Sequence, residues 1–149
     1  MRFSHRALAA IALPAFVAGL IVCAAPPQET EDLSKAYGLE FETGQVDDWS
    51  PSGLTSLGDG RVRLVVGVND GGCIAKETVT VKAVETSDKG TTLHLLYTLD
   101  GQPCKALFKR EMKATLRLPK PGTYRIKLWI NELFHDQGEV LRWEKEIKI

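Results

Sequence analysis

A chain of 149 residues with 19 Lys and Arg against 19 Asp and Glu, 44% hydrophobic and 26% charged, describes one ordinary globular domain and excludes a disordered, collagen-like or multi-domain architecture. The zero formal balance also removes the electrostatic reason to expect a nucleic-acid binder, which concentrates Lys and Arg on one face.

The first 24 residues read as a secretory signal: Arg2 and Arg6, then an apolar run from Ala7 to Val22 broken only by Pro14, then small residues at Ala24 and Ala25. Cleavage after Ala24 starts the mature chain at Ala25. Two alternatives remain open. Leu20-Ile21-Val22-Cys23 resembles a bacterial lipobox, departing from it at the branched Val22, and would make Cys23 a lipidation site; or Ala7 to Ala25 stays as an uncleaved anchor. All three put the domain outside the cytoplasm, secreted or periplasmic, free or held to the membrane. Of the three cysteines, Cys23 is then removed or lipidated, which leaves Cys73 and Cys104 to pair as a structural disulfide in an oxidising compartment.

Removing residues 1–24 leaves 17 basic and 19 acidic groups, unevenly spread. Up to Asp59 there are eight acids against Lys35 alone; from Gly60 on there are 16 basic and 11 acidic residues. Residues 25–36, opening on Pro26-Pro27-Gln28-Glu29-Thr30-Glu31-Asp32, read as a flexible acidic tether, too poor in apolar surface to order itself.

Residues 37–149 alternate with period two, the mark of strands with one inward face. Tyr37 to Thr43, Val62 to Val68, Thr78 to Glu85, Leu93 to Leu99, the stretch around Leu116 and Leu118, Tyr124 to Ile130 and Val140 to Ile149 give about seven strands. Turn signals fall at Asp59-Gly60, Asp70-Gly71-Gly72, Asp88-Lys89-Gly90, Asp100-Gly101 and Lys120-Pro121-Gly122, spaced as in an all-β two-sheet sandwich. The one helical candidate is a short turn from Glu132 to His135.

Gly72-Cys73, a hairpin from Glu77 to Leu99, Cys104, a strand from Arg110 to Leu118 and the closing Pro121-Gly122-Thr123-Tyr124-Arg125-Ile126 resemble small immunoglobulin-like β-sandwich domains of bacterial secreted proteins and lipoproteins. The resemblance spans roughly Gly60 to Asn131 and implies an immunoglobulin-like fold with no catalytic residue to transfer. No Trp lies between Cys73 and Cys104, so the bridge does not match the antibody inter-sheet position.

Candidates for chemistry are few. His94 falls on the outward face of a strand, His135 has no ligand partner at helix or hairpin spacing, and Asn69-Asp70-Gly71-Gly72 lacks the later ligands of a calcium loop. Asp47 and Asp48 read as loop acids rather than a catalytic pair, and no nucleophile elbow or phosphate-cradling loop is present. The expectation is a protein that is not an enzyme and takes no cofactor and no metal.

Binding has more to build on. Lys105, Lys109, Arg110, Lys113, Arg117, Lys120, Arg125 and Lys127 form a basic stripe with Glu111 the one acid among them. Alternation sends Arg117, Arg125, Lys127 and Trp129 outward, so these four are the expected binding face for a protein or an anionic or glycan surface of the cell envelope. The expected function is an exported, non-catalytic binding or structural module. Alternatives are an enzyme inhibitor using turns at Asn69 to Gly72 or Thr98 to Gln102, and a carbohydrate-binding module using Trp129 with Trp49.

Overall fold

The computed structural model describes residues 30–131 and 138–149. The signal segment with Cys23, and the turn around His135, lie outside the described residues. The elements are α1 (Thr30–Ala36), β1 (Glu40–Gln45), β2 (Gly53–Gly58), β3 (Arg61–Ser87), β4 (Gly90–Arg117), β5 (Thr123–Asn131) and β6 (Glu139–Lys148). The nearly all-β expectation holds, but the strands are divided differently.

β3 and β4 are 27 and 28 residues long and form one hairpin closed at Asp88-Lys89. Fully extended, such a ribbon would measure ~90 Å, far beyond a domain whose expected radius of gyration is ~13 Å. It therefore folds back on itself. Register shifts at Asp70/Gly72, Ile74/Lys76 and Val81/Ala83 supply the kinks, and the first leaves Cys104 to Leu107 facing Gly71 alone. Asp70-Gly71-Gly72 and Asp100-Gly101, expected as turns between strands, lie instead within β3 and β4 at this bend. Gly101 is required there, because a Cβ would stand 2.3 Å from the Cys73 carbonyl oxygen. The Cys73–Cys104 disulfide ties the two strands together at the bend, with Cα atoms 5.5 Å apart.

The bend turns one hydrogen-bonded network into two sheets. The first holds β2, the start of β3, the end of β4 and β1; the second holds the rest of β3 and β4, then β5 and β6. β5 runs parallel to β4, since the chain crosses from the first sheet back to the second over residues 118–122. Alternate residues of both sheets meet in one core: Val62, Leu64 and Val66, Met112 and Leu116 from the first, Val81, Leu93, Leu95, Ile126 and Leu128 from the second.

The segment expected as a tether ends in a helix. Leu33 packs on the core, and the Ser34 hydroxyl accepts the Val81 N–H at 2.9 Å at the edge of the second sheet, where β3 has no further partner strand. The helix stops in a Schellman turn: Gly38 N–H donates to the Lys35 carbonyl and Leu39 N–H to the Ser34 carbonyl, with Gly38 at φ 51°. Leu33 is an apolar anchor that the acidic composition of residues 25–36 concealed, and Tyr37 and Leu39, expected at the start of a strand, pack on the core from the turn that follows the helix.

Candidate functional site

Arg117, Arg125, Lys127 and Trp129 do not form one face. Arg125 and Lys127 stand on the second sheet, where β6 lies against them. Arg125 pairs with Glu144 at 3.4 Å and Glu146 at 3.3 Å, and Lys127 sits opposite Glu144. Arg117 belongs to the first sheet, directly opposite Arg61. Successive strands were expected to be neighbours, but the crossover after β4 puts Arg117 and Arg125 in different layers.

Trp129 is half-buried. Its Nε1–H donates to His94 Nδ1 at 3.1 Å, the two rings stack with centroids 6.1 Å apart, and Lys82 Nζ lies 4.7 Å over the indole while pairing with Glu139. His94 does face outward, yet it is only 8% exposed. Because Nδ1 accepts a hydrogen bond, the neutral ring carries its proton on Nε2. That atom makes no hydrogen bond among the described residues, with Glu85 Oε1 3.4 Å away. Trp49 lies on the far side of the molecule, 41% exposed and seated over Gly67, where a Cβ would come within 2.7 Å of the indole. The two tryptophans therefore cannot share one sugar platform.

The first sheet carries a different basic cluster. Arg61, Arg63 and Arg117 are all exposed, Arg61 faces Arg117 across the β3–β4 ladder, and Arg63 is two residues along on the same side opposite Thr115. Among the described residues no carboxylate comes within ion-pair distance of any of the three. Sequence reasoning named only Arg117, because Arg61 becomes its neighbour through a register 56 positions long in the chain, invisible to local pattern.

Farther along the first sheet, at Gly67 and Glu111, the loop after β1 folds over the outer face. Glu111 accepts the Ser50 N–H at 2.6 Å and pairs with Lys113 at 2.9 Å. Lys113, then the Ser50 hydroxyl and N–H, hold its carboxyl down at about 2. Asp48 is lowered by Lys109, whose Nζ lies 2.7 Å from it and 5.8 Å from the Trp49 ring centroid. Asp47 and Asp48 thus belong to a loop that is strapped down, as loop acids.

Between the sheets, near the bend, Arg110 and Glu77 form an ion pair with side chains only 11% and 12% exposed, and the Tyr97 hydroxyl donates to Glu77 at 2.5 Å. Arg110 therefore points inward and leaves the basic stripe. Two clefts flank the second sheet: one of about 360 Å³ lined by Lys76, Thr78, Thr98, Leu99, Asp100 and Asn131, and one of about 230 Å³ that includes Arg125 and Glu146. Among the described residues no three His, Cys, Asp or Glu side chains gather as a metal site would need, and no helix is long and apolar enough to cross a membrane.

Comparison of the chain with protein-family models, curated proteins and solved structures finds no match. The functional reading therefore rests on geometry.

Proposed function

We propose that this chain is an exported, non-catalytic binding or structural module of the cell envelope, built as an immunoglobulin-like sandwich. The observation that carries the reading is the Cys73–Cys104 bridge at the bend, since stable structural disulfides belong to oxidising compartments. The immunoglobulin-like assignment draws support from Tyr124, whose hydroxyl donates to the Lys120 carbonyl at 2.9 Å across the Pro121-Gly122 corner. That bond resembles the tyrosine corner of such domains. Intact mass of the protein from its producing cells, with and without reductant, together with cell fractionation, tests the reading. The expected result is an envelope or secreted species that lacks its first residues and gains two protons on reduction. Full-length, cytosolic protein with free thiols overturns it.

A second reading, an inhibitor working through an exposed loop, is favoured by one feature. The Cys104 to Leu107 bulge is clamped at its base by the disulfide and presents Leu107 81% exposed. Loss of inhibition across a protease panel on Leu107→Asp, with the arginine variants below unaffected, would select it.

A further inference from the structure

We infer that Arg61, Arg63 and Arg117 form a docking patch for the phosphate headgroups of an anionic membrane surface. The inference rests on the envelope reading above and names its partner.

Like charges directly opposite one another in an antiparallel pair destabilise a sheet. Arg61 and Arg117 are such a pair, and Arg63 adds a third guanidinium on the same face. By contrast, exposed Arg125 on the second sheet has Glu144 and Glu146, and Lys109 has Asp48. Here the neighbours in register are Thr55 and Thr115; Asp59 in the turn before β3 and Glu40 beyond Thr115 form no ion pair with the three. A cluster with no ion pair among the described residues, held at a cost to the fold, calls for a ligand that neutralises it, and guanidinium forks match phosphate oxygens in bidentate pairs.

The shape favours a surface over a small anion. The three side chains stand on the outside of a sheet, and neither described cleft includes them. The entry of the chain points the same way. The Tyr37 carbonyl accepts the Arg117 N–H at 2.7 Å, so the segment arriving from α1 is fastened beside the patch. Residues 23–29, between the apolar run and α1, can span only ~23 Å. A processed chain held to the membrane by a lipid on Cys23 therefore keeps this end of the sandwich near the bilayer, where each added Arg contributes attraction to anionic lipid.

The test is partition of the protein, as isolated from its cells, between buffer and vesicles of phosphatidylcholine alone or of equal parts phosphatidylcholine and phosphatidylglycerol. Binding should favour the anionic vesicles and weaken with salt. Arg61→Gln, Arg63→Gln and Arg117→Gln should each lower that preference about fivefold. Arg125→Gln should leave it nearly unchanged, and thermal midpoints should hold or rise as the Arg61–Arg117 repulsion is relieved. Equal binding to both vesicles, or an equal loss with Arg125→Gln, overturns the patch. So does release by inorganic phosphate beyond that by chloride at matched ionic strength, which would mark a small-anion site. Retention on a sulfated polysaccharide with no vesicle preference would also overturn it. Vesicle indifference with the disulfide intact sinks the patch alone; free thiols in a cytosolic protein sink the envelope reading whatever the vesicles show.

Discussion

Single side chains here owe their behaviour to what covers them. Glu111 faces outward on β4, yet the Ser50 loop and Lys113 close over it, so the charge is met by three donors and its carboxyl titrates at about 2 instead of 4.5. A depressed acid stabilises the fold at every pH above its unfolded value and loses that contribution as pH falls toward its folded value. Urea midpoints should accordingly drop between pH 4.5 and about 2 in the wild type, and the drop should be shallower in Glu111→Gln. Alternation in the sequence was enough to send His94 and Trp129 to outward faces. It could not say that Ser50 would arrive over Glu111 from a loop, or Lys82 and Glu85 over those faces from β3, which is why His94, expected to be partly exposed, is only 8% exposed.

The hairpin of β3 and β4 is where local chemistry misleads most instructively. Asp-Gly and Gly-Gly sequences serve tight turns, and they serve equally the kinks at which a continuous ribbon changes layer. Asp59-Gly60, Asp88-Lys89-Gly90 and Lys120-Pro121-Gly122 are indeed turns, while Asp70-Gly71-Gly72 and Asp100-Gly101 are the bend. The composition is the same; only the pairing across the ladder tells them apart. β2 escaped notice because Gly53–Gly58 is short, glycine at both ends and mostly exposed. α1 escaped because a single apolar anchor, Leu33, follows its acidic start. At Gly101 the backbone of the facing strand leaves no room for a side chain, so Gly101→Ala should destabilise the protein by about 1–3 kcal/mol in urea unfolding. An unchanged midpoint would mean that the bend is looser than drawn.

Across the molecule, an all-β body in two sheets with one disulfide was legible, because strand periodicity and cysteine parity are properties of the chain alone. Which residues face each other between the sheets was not, since that depends on where the ribbon folds. The Glu77–Arg110 pair is the clearest case: 33 positions apart, it joins the second sheet to the first inside the sandwich, with Tyr97 on the same carboxylate. Glu77→Ala takes a half-buried carboxylate from both Arg110 and Tyr97 and should cost about 3–5 kcal/mol, whereas Glu77→Leu with Arg110→Met should recover most of the loss. A double-mutant cycle by chemical denaturation reads this directly, and additive losses would deny the pairing. The parallel alignment of β5 with β4 has a kinetic consequence. The hairpin can zip outward from Asp88-Lys89, whereas β5 reaches its bed on Thr91 to Thr98 only by closing back over 33 positions of chain, a non-local step that needs the turn end of the hairpin to be in place.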